Sequence, residues 1–121
     1  MALNRKHFEE LVEQALASLP PEFAERLDNV SVVVEDWASP VQLRKVNLKD
    51  PHQLLGLYEG IPLTRRPDAY AGALPDRISI FRIPIEEMSR NDDEIRAQVR
   101  KTVMHELGHY FGMSENELRD V

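Results

Sequence analysis

The first part of the chain carries a helical hydrophobic pattern. Apolar residues recur three and four positions apart across Phe8–Leu19, which predicts an amphipathic helix that Asn4 caps and that runs to about Ser18. A proline pair ends this helix. Its second proline suits a first helical turn, so Pro21–Leu27 is predicted as a short second helix.

Three short apolar runs predict strands. Val30–Val34 is rich in β-branched residues, which favours a central strand. Leu54–Tyr58 predicts a second strand, closed by Glu59-Gly60, and Arg77–Ile83 a third, stopped by Pro84. The three runs together predict a small sheet.

The connections between these strands have their own signals. Ser39-Pro40 combines a capping residue with a first-turn proline and predicts a short helix, which Asp50-Pro51 breaks. Residues 63–75 carry prolines and a glycine without hydrophobic periodicity, and we expect an irregular loop there.

A long helix is predicted near the C-terminus. Asn91 followed three residues later by Glu94 predicts a capping box, and Gly112 suits the left-handed position that ends a helix. Apolar residues step by four along one face of it: Ile95, Val99, Val103, Leu107 and Phe111. The element order predicts an α+β fold, a small mixed sheet with helices against one side, and a single domain over residues 1–121.

Composition narrows the function classes. The chain has 121 residues, 42% of them hydrophobic and 30% charged, which is typical of one globular domain. Its net charge of −6 and its lack of a basic cluster argue against nucleic-acid binding. The absence of cysteine excludes disulfides, thiolate zinc ligands and thiol catalysis. With neither a signal peptide nor a membrane-length apolar run, we expect a cytoplasmic protein without a membrane partner.

The last helix carries the candidate chemistry. His105 and His109 are four residues apart, so their imidazoles lie one above the other on a helix and can converge on one metal ion. Glu106 points about 100° around the helix from His105, beside the ion rather than on it. Two ligands and a base with an open coordination position suit metal-assisted hydrolysis, so the motif predicts a Zn²⁺ site.

A third protein ligand is needed to complete such a site. Gly112 lets the chain turn back, and Glu115 follows three residues later, where its carboxylate could reach the metal. The spacing from His105 to Glu115 resembles the metzincin layout, with glutamate in place of the last histidine.

Other polar residues are weaker candidates. His7 and His52 are better explained as surface or hydrogen-bonded core histidines. Four residues could stabilise an oxyanion, although packing, or an ion pair for the arginine, is the simpler explanation: Tyr58, Tyr70, Arg77 and Tyr110.

The chain resembles the minimal zincin-like bacterial proteins over nearly its whole length. The segments that carry the resemblance are Leu19–Phe23, Asn29-Val30, Val34–Asp36, Leu55–Leu63, Leu74–Ile78, His105–His109 and Phe111-Gly112. The resemblance implies a compact zincin-like α+β fold with His105 and His109 as zinc ligands and Glu106 as the base. That family usually has aspartate at the third-ligand position, where this chain has Glu115, and Glu117 is an alternative ligand.

Two main functions follow. The first is a zinc-dependent metallopeptidase that hydrolyses peptide bonds with a zinc-activated water and Glu106 as general base, with the third strand pairing to the substrate backbone. The second is a non-catalytic zinc-binding or protein-interaction module, because little chain follows Gly112 to wall a cleft and no strong oxyanion residue stands out. A weaker alternative is a subunit whose cleft another chain completes. The sequence leaves the oligomeric state and the substrate open.

Overall fold

The computed structural model describes residues 4–28, 30–60 and 76–110. Within them the chain alternates helices with short strands, and a 3₁₀ turn at Pro51–Gln53 precedes the second strand. The elements are α1 (Arg5–Ala17), α2 (Pro21–Arg26), β1 (Val30–Glu35), α3 (Pro40–Lys45), β2 (Gly56–Glu59), β3 (Asp76–Phe81), α4 (Arg82–Glu87) and α5 (Asp92–Tyr110). The predicted α+β class is confirmed.

The three strands form one mixed sheet in the order β1-β3-β2. β1 runs parallel to β3, and β2 runs antiparallel to it. The predicted central position of β1 is therefore wrong, since β3 is the middle strand and Ile78, Ile80 and Phe81 on it are fully buried. A β-branched run indicates a good fit to a pleated surface, and it does not tell an edge strand from a central one.

The two faces of the sheet pack against different helices. Val34, Ile78 and Ile80 face the main core, which α1 and α5 cover. Their neighbours point to the opposite face, where Phe81 packs in a smaller cluster with Leu43 of α3. The expectation of helices on one side alone is therefore wrong for α3, because apolar periodicity shows that a helix is covered but not which face of the sheet covers it.

The apolar stripe of α5 is buried as its pattern predicted from Ile95 to Leu107, whereas Phe111 and Gly112 lie outside the described residues. Four residues of its apolar stripe have no exposed surface: Ile95, Val99, Val103 and Leu107. At its start, the Asn91 side chain accepts a hydrogen bond from the Glu94 amide at 2.9 Å. The predicted capping box is not reciprocal, because the Glu94 carboxylate accepts its hydrogen bond from the Arg90 amide, at 3.0 Å, instead of from the amide of the cap residue. No helix among the described residues is long and apolar enough to cross a membrane.

The sequence pattern did not predict α4. We expected Pro84 to stop the third strand, but the strand already ends at Phe81 and Pro84 lies in the first turn of the helix Arg82–Glu87. A proline in the first turn loses no intrahelical hydrogen bond, so it is as compatible with a helix start as with a strand end.

Candidate metal centre

His105 and His109 lie in the last turns of α5, with His109 exposed and His105 half-buried. Their ring centres are 5.9 Å apart and the ring planes are perpendicular. Two imidazoles that bind one zinc ion at about 2.0–2.1 Å have ring centres roughly 5–6 Å apart. The spacing of the two rings therefore fits a shared metal ion.

The hydrogen bond of His105 defines its tautomer. Its Nδ1 lies 3.2 Å from the carbonyl oxygen of Lys101, one turn earlier on α5. A carbonyl can only accept, so Nδ1 carries the hydrogen and the lone pair of Nε2 is left for a metal. A histidine ligand whose other nitrogen donates to a backbone carbonyl is the usual arrangement in metal sites, because it fixes the ring.

Glu106 turns from the histidines toward the sheet. Its Oε1 accepts a hydrogen bond from the backbone amide of Tyr58 at 2.9 Å. Burial raises the pKa of the Glu106 carboxyl above its ordinary value, while the Tyr58 amide and the two histidines act in the opposite direction. The net increase makes this carboxylate a stronger proton acceptor than an exposed glutamate.

The ladder register explains why the Tyr58 amide is available to Glu106. In an antiparallel pair, the residues that bond to the neighbouring strand alternate. Leu55 accepts from the Phe81 amide at 2.9 Å, so Leu57 faces β3 while Gly56 and Tyr58 turn their amides away from it. β2 is an edge strand of the described sheet, and Glu106 bonds to its outer edge.

The side chain of Tyr58 is also held at the site. Its hydroxyl donates to Asp76 at 2.8 Å, and its ring stacks on Tyr110 with centres 4.0 Å apart. Tyr110 in turn lies against Gly60, where an added Cβ would be 2.7 Å from the ring. These contacts join the end of β2 to the end of α5. Sequence reasoning considered both tyrosines but gave Asp76 no role.

Gly56 sets the distance between the start of β2 and α5. A Cβ at this position would lie 2.6 Å from Cγ2 of Thr102 and 3.1 Å from the carbonyl oxygen of Ser79. Real Cβ atoms do not approach that closely, so only glycine fits without a shift of the helix or the strand. The close approach brings β2 within reach of Glu106.

A pocket of about 240 Å³ lies between the start of β2 and the turn of α5 that precedes the histidines. His105 and Glu106 are among its lining residues. The remaining lining residues are Gln53, Leu54, Leu55, Gly56, Gln98, Lys101 and Thr102. None of them was singled out from the sequence as a functional residue, because they come from two separate stretches without a motif.

The other predicted candidates lie away from this centre or outside the described residues. Three have partners elsewhere: Arg77 with Glu59 at 3.0 Å, His7 with Asp92 at 2.9 Å and His52 with Glu87 at 2.7 Å. The pairing of Arg77 with an acid agrees with the simpler of its two interpretations. Glu115, Glu117 and Tyr70 fall outside the described residues. Among residues 4–28, 30–60 and 76–110, no three His, Cys, Asp or Glu side chains form a metal-holding group.

Comparison with known proteins gives one match. A family model described as zincin-like metallopeptidase matches residues 27–121, well over half of the chain. The matched region includes the whole of α5 and β2, and therefore His105, Glu106 and His109. No curated protein matches the chain.

Proposed function

We propose that this chain, which belongs to the zincin-like metallopeptidase family, is a zinc-dependent metallopeptidase. It hydrolyses peptide bonds with Glu106 as the general base. The observation that carries the proposal is the position of this carboxylate. It lies next to two imidazoles with suitable spacing, it is partly desolvated, and the edge of β2 holds one of its oxygens.

His105 and His109 are the proposed zinc ligands, His105 through Nε2. A bound zinc ion would polarise the substrate carbonyl and lower the pKa of water at the site. The amide of Tyr58 fixes Oε1 of Glu106, which leaves Oε2 for proton transfer. Glu106 takes a proton from the attacking water and delivers it to the nitrogen of the breaking C–N bond, so that the products are a carboxylic acid and an amine.

β2, rather than the third strand, is the proposed binding edge for the substrate backbone. β3 is bonded to a strand on each side, so it cannot pair with a peptide. The outward N–H and C=O of Gly56 have no recorded partner among the described residues, and they lie on the side of Glu106. A peptide could therefore extend the sheet at β2 by strand addition.

The test combines metal analysis with peptide turnover. Zinc-loaded wild type and Glu106→Gln are each expected to hold one zinc ion per chain. Glu106→Gln should lower kcat/KM on a mixed peptide library by about 10²–10⁴-fold, the usual contribution of a general base. Stoichiometric zinc without turnover by wild type would overturn the peptidase and favour the non-catalytic zinc module. Failure of wild type to bind added zinc would overturn both.

Glu115 is the proposed third zinc ligand, on the basis of its spacing from His109. Glu115→Ala should weaken zinc affinity by more than about 100-fold, since even outer-shell partners contribute 10–100-fold. The matched control is Glu117→Ala, measured in the same competition against a chromophoric chelator. A larger loss in Glu117→Ala would transfer the role to Glu117.

A further inference from the structure

The pocket beside Glu106 combines an apolar wall with a few polar side chains. Lys101 contributes an ammonium group, and Gln53 and Gln98 contribute amides. The Gln98 amide donates to the Thr102 hydroxyl at 3.1 Å. The apolar part of the lining comes from Leu54, Leu55 and Gly56.

The basic and the acidic side chain of the pocket differ in the partners that they already have. Lys101 is the only Lys or Arg in the lining, and among the described residues no ion pair involving it is recorded. Glu106 is the only carboxylate, and its Oε1 is already bonded to the Tyr58 amide. An ammonium group without an ion pair among the described residues, beside a carboxylate that already accepts a hydrogen bond, suits a ligand with a carboxylate.

The size of the pocket fits one side chain. Its volume of about 240 Å³ lies below the range of roughly 300–1,000 Å³ that drug-sized ligands occupy. A single residue of a longer peptide is therefore the appropriate occupant, with its methylene groups against Leu54 and its polar end near Lys101.

The direction of the peptide follows from contacts between β2 and α5. Gly56 lies against Thr102, Tyr58 bonds to Glu106, and Gly60 lies against Tyr110, so the strand and the helix run the same way. A peptide antiparallel to β2, the slightly more stable pairing, runs from the Tyr110 end to the Thr102 end. The residue that follows the cleaved bond then reaches the pocket.

We propose that this pocket selects peptides with a carboxylate on the residue that follows the cleaved bond, and that Lys101 is the specificity-determining residue. The carboxylate belongs either to an Asp or Glu side chain or to the C-terminus of the peptide. This inference rests on the proposed peptidase function, since it names the substrate class of the same site.

Turnover of matched peptides tests the selection. Five peptides share one sequence up to the cleaved bond: four end in Glu-NH₂, Gln-NH₂, Lys-NH₂ or Leu-NH₂, and one ends in Leu with a free carboxylate. Zinc-loaded wild type should cleave the Glu peptide about 10-fold better than the Gln peptide by kcat/KM, which is the difference between a charge-assisted and a neutral hydrogen bond. A corresponding advantage of free Leu over Leu-NH₂ would identify the terminal carboxylate as the source.

Lys101 variants give the decisive comparison. Lys101→Met should remove the preference for Glu over Gln, and Lys101→Glu should reverse it in favour of the Lys peptide. The backbone carbonyl of Lys101, which holds His105, is retained in both variants, so zinc content should stay at one ion per chain. The matched control is Lys45→Met, because Lys45 lies against Glu59 on the other face of β2 and should leave the preference unchanged.

A binding measurement separates this inference from the peptidase proposal. Zinc-loaded Glu106→Gln should bind the Glu peptide about 10-fold more tightly than the Gln peptide by calorimetry. The variant that combines Glu106→Gln with Lys101→Met should bind the two peptides equally. Turnover by wild type without preference for either carboxylate would overturn the pocket assignment and leave the peptidase standing. No turnover, with Lys101-dependent binding of the Glu peptide, would overturn the peptidase and support carboxylate recognition.

Discussion

β2 holds two glutamates in opposite environments, one on its α3 face and one at its outer edge. On the α3 face, the side chain of Glu59 is 17% exposed and accepts hydrogen bonds from Lys45, Gln42 and Arg77 at 2.5–3.0 Å. At the outer edge of β2, Glu106 has the Tyr58 amide as its hydrogen-bond donor among the described residues. The four residues of β2 therefore lie beside one carboxylate with several hydrogen-bond donors and one carboxylate with a single donor among the described residues.

The pKa values of the two carboxyls diverge accordingly. Burial raises the pKa of Glu59, but the bonds from Lys45, Gln42 and Arg77 outweigh burial and lower the pKa to about 2. For Glu106 burial dominates, and its pKa lies above the ordinary value. A carboxylate that accepts several hydrogen bonds is stabilised in its charged form and binds a proton weakly. A carboxylate with few donors binds a proton more readily and can act as a base.

Adding a methyl group at Gly56 should have the largest effect on stability. Gly56→Ala places a methyl 2.6 Å from Thr102 and should lower the free energy of unfolding by about 1–3 kcal/mol, because β2 and α5 must separate. Thr102→Ser removes the clashing methyl, so the double variant should recover part of this loss in urea unfolding. Gly60→Ala is the control. Its contact is the movable ring of Tyr110, so a loss equal to that of Gly56→Ala would contradict the explanation.

Neutralising Glu59 should affect the α3 face alone. The folded-state pKa is lowered from 4.5 to about 2, so the carboxylate stabilises the fold above pH 4.5 and this stability is lost as the pH falls toward 2. Glu59→Gln should therefore cost about 1–2 kcal/mol at pH 7, a value reduced because Lys45 and Arg77 are half-exposed. Urea unfolding across pH 2–7 measures it. An unchanged acid slope in the variant would show that Glu59 is not the anchor.

Neutralising Glu106 should have the opposite sign and the smallest size. Its folded-state pKa is raised, so in the metal-free protein the ionised form costs stability above its ordinary pKa of 4.5. Glu106→Gln should therefore raise the melting temperature at pH 7 in the presence of a chelator, and the gain should vanish as the pH falls below 4.5. A destabilised Glu106→Gln protein would mean that the Tyr58 bond outweighs the cost of burial.

Much of the fold could be predicted from local signals. The positions of α1, α5 and the three strands follow from hydrophobic period and capping residues, since both depend on near neighbours in the chain. The strand order did not follow, because β1 and β3 are far apart in sequence and their pairing depends on which surfaces the helices cover. α4 was missed because a proline is compatible with both a strand end and a helix start.

The sequence by itself determined the spacing of His105 and His109, the position of Glu106 beside them and the assignment to a zincin-like family, because residues four apart on a helix have a fixed geometry. Glu115 stays a prediction from spacing. Only the tertiary structure decided that the Tyr58 amide holds Glu106, that Gly56 admits α5, and that Lys101 lies in a pocket beside the site. The contacts of Tyr58 with Glu106 and of Gly56 with Thr102 each join residues more than forty positions apart, and it is the burial of Glu106 in the folded chain that raises the pKa of its carboxyl.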